Sequence, residues 1–118
     1  MGEKRLSALR GATRCLNSAE DIKKQVVETY DGLLSRNNLT GEDIVSAFFS
    51  VTGDLDAKNP ATALREEGRA AETALFVNQE ANFSGALPRV IRVLIHCYLD
   101  AAPVHVYRNG AEVLRPDR

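Results

Sequence analysis

Apolar and polar positions follow two different periods along this chain, and the switches between them mark its elements. Residues 5–12 alternate, with Leu6, Ala8 and Arg10 toward one face and Ser7 and Leu9 toward the other, which predicts a first strand ending at Gly11. From Ser18 the period lengthens. Ile22, Val26, Val27, Tyr30, Leu33 and Leu34 recur at helical spacing as far as Arg36, behind a Ser18-x-x-Asp21 start that is like a capping box. The other face of that helix, with Lys23, Lys24, Glu28, Asp31 and Arg36, reads as solvated surface rather than a binding stripe. Asn37-Asn38 breaks the helix, a short cap follows at 40–43, and residues 44–52 are rich in β-branched and aromatic side chains, as a buried strand closed by Gly53-Asp54 should be. Asn59 before Pro60 supplies an N-cap followed by proline at the first helical position, so residues 60–67 form a short helix that Gly68 closes.

Further strands are expected at 73–77 and 89–98, with residues 82–88 as a loop between them, and Asn109-Gly110 between 104–107 and 111–114 predicts a two-residue hairpin. The order is β-α-β-α-β-β-β-β. It predicts an α+β fold: a mixed β-sheet with one long and one or two short helices. A sheet of roughly five strands with so few helices to cover it leaves apolar surface over, which predicts self-association.

One position breaks the pattern. Arg92 stands in the middle of the most apolar run, Val90-Ile91-Arg92-Val93-Leu94-Ile95. It shares a strand face with Val90 and Leu94 while Ile91, Val93 and Ile95 line the other, and both faces read as covered. Desolvating a guanidinium costs several kcal/mol unless a carboxylate, phosphate or similar anion offsets it. Two arrangements of the fold alone would also satisfy it: an internal Arg–Glu pair, or a strand end from which the side chain reaches water.

Bulk properties narrow the function. A chain of 118 residues fits a single domain, 1–118, with a short N-terminal tail at 1–5 and a C-terminal tail at 115–118. With 15 Lys+Arg against 16 Asp+Glu, no overall basic field exists to collect nucleic acid or an anionic membrane. The apolar runs are too short to span a bilayer, and the first five residues lead into no hydrophobic signal segment, so a cytoplasmic protein is expected. Cys15 and Cys97 read as reduced, buried thiols, and His96 and His105 lack metal-ligand spacing, so no metal site is expected.

Arginines recur at element ends as well as inside the apolar strand: Arg10, Arg65, Arg92 and Arg115. Their contexts say more than their number. Leu9-Arg10-Gly11-Ala12-Thr13, Ala63-Leu64-Arg65-Glu66, Val90-Ile91-Arg92-Val93, Val106-Tyr107 and Val113-Leu114-Arg115-Pro116-Asp117 resemble, in order and spacing, the monofunctional chorismate mutases of the trimeric, barrel-like class. The resemblance runs from about Leu9 to Asp117. It implies a homotrimer forming a pseudo α/β barrel, with active sites in clefts between subunits, and the Claisen rearrangement of chorismate to prephenate on the route to phenylalanine and tyrosine. It also implies residue roles. Arg92 matches the cation facing the substrate's ether oxygen, Arg10 and Tyr107 the ligands of the side-chain carboxylate, and Glu80 the acid at the ring hydroxyl. Arg65, Ala61, Val77, Leu114 and Arg115 match further positions lining the cleft, with Arg115 on a mobile tail that closes over substrate.

The chemistry suits these residue types. A unimolecular pericyclic reaction needs no nucleophile, general base or cofactor, and the chain offers no convincing motif for any of them. Bond cleavage runs ahead of bond formation, so negative charge grows on the ether oxygen, where a fixed guanidinium stabilises the transition state more than the ground state. Three positions depart from the family pattern: Asn59 and Thr62, where an aromatic residue and a lysine are frequent, and Val77, where a cysteine shares the hydroxyl contact. These departures place ring-hydroxyl recognition on Glu80 and predict a raised KM with turnover retained. Two other readings compete: an imine or enamine deaminase on a similar trimer, which explains Arg92 but not Arg10 with the terminal segment, and a module that binds an aromatic-pathway metabolite without converting it.

Overall fold

The computed structural model describes residues 3–114. Its elements are β1 (Arg5–Arg14), α1 (Ala19–Arg36), β2 (Ile44–Val51), α2 (Pro60–Glu66), β3 (Ala74–Gln79), β4 (Val90–Leu99) and β5 (Val106–Arg108), with single 3-10 turns at Gly41–Asp43 and Ala111–Leu114. α1 starts at Ser18, whose extended backbone and side-chain Oγ, accepting from Asp21 N at 3.1 Å, satisfy an otherwise unpaired N–H of the first turn. The Asp21 carboxylate closes the cap on Leu16 N at 2.7 Å, because the Ser18 N–H is already taken by Leu16 O. That bond, helped by one from Gln25, holds the Asp21 carboxyl below the usual carboxylate range. α2 starts as the sequence predicts, with Asn59 Oδ1 accepting from Ala61 N and Thr62 N and Pro60 at the first turn.

The five strands form one sheet in the order β3-β2-β4-β1-β5. β4 runs antiparallel to both β1 and β2, while β3 and β5 add at the two edges in parallel, β3 to β2 and β5 to β1. The parallel β2–β3 pair needs a crossover, and α2 supplies it. Both helices cover the same face. Leu9, Phe49, Val93 and Ile95 of the sheet bury there against Ile22, Val26, Tyr30 and Leu33 of α1 and Leu64 of α2.

Three expectations change. β1 does not end at Gly11 but continues to Arg14. Gly11 lies under α1, where a Cβ would come within 2.8 Å of Leu33 Cδ1 and 3.0 Å of Val93 Cγ1, so the glycine serves close approach rather than termination. The expected hairpin at Asn109-Gly110 is absent. Both residues take positive φ, 57° and 95°, but the chain turns into the Ala111–Leu114 3-10 turn, and β5 pairs in parallel with β1. The reason is tertiary: Asn109 Nδ2 donates to Thr13 Oγ1 and Gln25 Oε1, and Ala111 is fully buried, so the turn is tied down to β1 and α1 instead of returning as a strand. Finally, among the described residues only the helix-facing side of β4 is covered along its length, although Val90 on the other side is also buried. The face carrying Arg92 is open, and the Arg92 side chain is 45% exposed.

Candidate active site

The strand register assembles the site. Asn78 of β3 pairs with Ser50 of β2, Ser50 with Arg92 of β4, Arg92 with Ala12 of β1, and Ala12 with Tyr107 of β5. Paired residues point to the same side of a sheet, so these five form one row across the open face. Ala12 separates Arg92 from Tyr107, which places their strands two spacings apart, about 10 Å. Arg10 lies one step along β1 on the same face, paired with Leu94.

Glu80 follows the last residue of β3 and extends its pairing, its N–H bonding Val51 O at 2.9 Å. That places its carboxylate beside Arg92, whose Nε lies 2.9 Å from each carboxylate oxygen. Ser50 Oγ donates to Oε1 of the same carboxylate at 2.9 Å. Glu80 is the inner partner, 17% exposed against 45% for Arg92. An Arg–Glu pair is therefore present, half-exposed rather than internal, and water reaches Arg92 from within β4 rather than at a strand end. The pair uses one edge of the guanidinium, and no described residue takes Nη1 or Nη2. A half-exposed ion pair contributes little to stability, but it fixes the direction of a planar cation.

Arg10 is held by its backbone, its N–H donating to His105 Nδ1 at 3.0 Å, and no described residue pairs with its guanidinium. The His105 bond fixes Nδ1 as an acceptor, so in the neutral ring Nε2 carries the proton. Tyr107 is half-buried on the same face. The arrangement offers two cations and a phenol around a small buried floor, Ala12, with a carboxylate at one side. It can grip a small polyanion and hold a cation against an oxygen that gains charge.

Other residues expected at the site lie elsewhere in the chain. Val77 pairs with Phe49 and so faces the helices, where it lines a cleft of about 340 Å³ with Asn59, Lys58 and Pro60. Arg65 spends its guanidinium on Ala71 O and Thr73 O, at 3.2 and 2.8 Å, and Ala61 sits in the first turn of α2. Leu114 is half-buried in the last 3-10 turn, and Arg115 lies outside the described residues. Within one chain the set thus splits in two, Arg10, Glu80, Arg92 and Tyr107 on the open face and Ala61, Arg65 and Val77 on the helix side. Sequence reasoning missed Ser50 and His105. The only signal for Ser50 is that Ser46 and Ser50 interrupt one face of an apolar strand four residues apart.

The sequence profile described as chorismate mutase type I matches residues 6–118. The chain belongs to this family. Its relatives agree. Chorismate mutase AroH of Bacillus subtilis (strain 168) is 31% identical over 116 residues, 95% of this chain and 91% of that protein, and chorismate mutase AroH of Thermus thermophilus is 34% identical over 105 residues, 86% of this chain and 85% of that protein. A solved chorismate mutase from Clostridium thermocellum superposes with a TM-score of 0.86 at 39% identity, covering 91% of this chain and 98% of that one. As a type I chorismate mutase it is an isomerase, which sets the deaminase and binding-module readings aside. No described helix is long and apolar enough to cross a membrane.

Proposed function

We propose that the open sheet face is one wall of the active site, and that its residues convert chorismate to prephenate by electrostatics and restraint alone. Arg92 faces the ether oxygen with the edge that Glu80 leaves vacant. Arg10 and Tyr107 hold the side-chain carboxylate, and Glu80, steadied by Ser50, accepts the ring hydroxyl's hydrogen bond. The cross-strand row is the observation that carries this reading, because it puts a directed cation and a phenol on one face of strands about 10 Å apart, with a buried alanine between them.

The rearrangement brings in no second reactant, so the effective-molarity gain of a bimolecular reaction does not apply, and only the conformational part of that effect is available. The larger contribution is charge stabilisation. A single preorganised donor at a developing oxyanion is worth about 2.7–4 kcal/mol. Arg92→Ala should therefore lower kcat by about 10²–10³-fold or more while the fold persists, since the residue is half-exposed. The check is loss of chorismate's ultraviolet absorbance, with prephenate confirmed by acid conversion to phenylpyruvate. Full turnover by Arg92→Ala would remove the assignment.

The second wall is supplied by a neighbouring copy in a homotrimer. Ala61, Arg65 and Val77 lie on the helix side, away from Arg92, and reach substrate only from another subunit. Leu114 ends the described chain next to β5, and Arg115 is given its role on the family pattern alone. We also read the enzyme as cytoplasmic, in keeping with two buried thiols that form no disulfide.

A further inference from the structure

β5 is three residues long and joins the sheet through three parallel pairs, Gly11–Val106, Ala12–Tyr107 and Thr13–Arg108. An edge strand that short fixes little by itself. Side chains alternate, so Tyr107 faces the Arg92 row while Arg108 points the other way, to α1. There its guanidinium meets four oxygens. Nη1 lies 3.3 Å from Gln25 O, 3.0 Å from Gln25 Oε1 and 3.2 Å from Thr29 Oγ1, and Nη2 lies 2.6 Å from Glu28 Oε1.

The acceptors are themselves oriented. Thr29 Oγ1 gives its own proton to Gln25 O at 2.7 Å, leaving lone pairs for Arg108. Gln25 Nε2 donates to Asp21 Oδ1 at 3.1 Å, which aims Oε1 at β5. Asn109 uses the same Oε1, its Nδ2 donating at 2.8 Å while also bonding Thr13 Oγ1 at 3.0 Å. A planar fork with several donors held by fixed acceptors sets direction as well as distance, which a point charge cannot do.

We infer that Arg108 is a positioning residue for the rearrangement: by bolting the β5 edge to α1 it sets Tyr107 at the substrate's side-chain carboxylate without touching substrate. This rests on the reading of Tyr107 given above. None of the matched site positions includes Arg108, and its side chain faces away from the open face.

The test combines amide hydrogen exchange with steady-state kinetics on the full chain. Arg108→Ala should speed exchange at residues 104–110 while β4 stays protected, and should raise KM for chorismate about tenfold, about 1.4 kcal/mol, with kcat within about twofold. Arg108→Lys should recover part of the loss, since an ammonium reaches Glu28 but lacks the fork for Gln25 and Thr29. In a Tyr107→Phe background Arg108→Ala should raise KM little further, because both changes act through one contact. Unchanged exchange would overturn the bolt. A KM rise that persists in full beside Tyr107→Phe, or a loss confined to kcat and thermal stability, would overturn the positioning role. A single Tyr107→Phe variant with wild-type KM would overturn the carboxylate reading and the role built on it, and exchange in Arg108→Ala would then report on the bolt alone.

Discussion

Arg92 keeps a charge on an apolar strand because Glu80 takes one edge of it and water reaches the rest. That a guanidinium there needs an anion was legible from its neighbours. The detail was not, because Ser50 becomes a partner of Glu80 only through the β2–β4 register, and a serine in a strand carries no signature of its own. A second residue shows what burial does to chemistry. Burial pushes the Cys15 thiol up to about 11, with Asp21 and Asp54 adding to the effect and Arg89 opposing it. The folded chain therefore keeps a proton that the unfolded chain gives up near pH 8.5, and stability linked to Cys15 is complete below about pH 8.5 and declines as pH rises toward 11. Tm measured from pH 7 to 10 should fall less steeply in Cys15→Ala than in wild type, and the native thiol should alkylate slowly at neutral pH.

At the scale of elements, helices and central strands were readable because their signals are local: apolar periodicity, Ser18 and Asn59 as caps, Pro60 at a first turn. Gly11 and the Asn109-Gly110 turn were misread because their neighbours in space are far away in sequence. Gly11 looked like a strand end, yet its missing side chain is what lets α1 settle on β1. Gly11→Ala should destabilise the protein by about 1–3 kcal/mol, since the new methyl must displace Leu33 and Val93 side chains in a packed core. Denaturant unfolding measures this directly; a wild-type midpoint would mean that α1 shifts at no cost. The turn has positive φ at Asn109 and Gly110, as a hairpin would, but backbone conformation does not choose the next partner. Asn109 bonds to Thr13 and Gln25, and that tertiary tie makes β5 a parallel edge strand.

Across the whole molecule, two helices cover one sheet face and leave the other with Leu6, Phe48, Phe76 and Tyr98 exposed at 62, 44, 60 and 45%. Phe48 packs edge-on to Phe76 and His96, which gathers much of this apolar surface across β3, β2 and β4 rather than scattering it. A second copy covering this face would bury the aromatic cluster and bring the missing wall to Arg92. If the neighbours assemble as the homotrimer proposed above, light scattering at micromolar concentration should give three times the chain mass. Phe48→Glu should shift it to monomer and lose turnover with it, although Phe48 lies outside the proposed site. A fully active monomer would show that one chain suffices. The sequence by itself determined the helices and central strands, the α+β class, the resemblance to its family and the need of Arg92 for an anion, because each is written in neighbouring residues or in motif order. The tertiary structure alone decided that Arg92, Ala12 and Tyr107 form one row, that Val77 and Arg65 lie apart from it, and that one face is left open. Register, edge pairing and coverage arise from contacts between distant segments, and no local pattern records which distant segment will arrive.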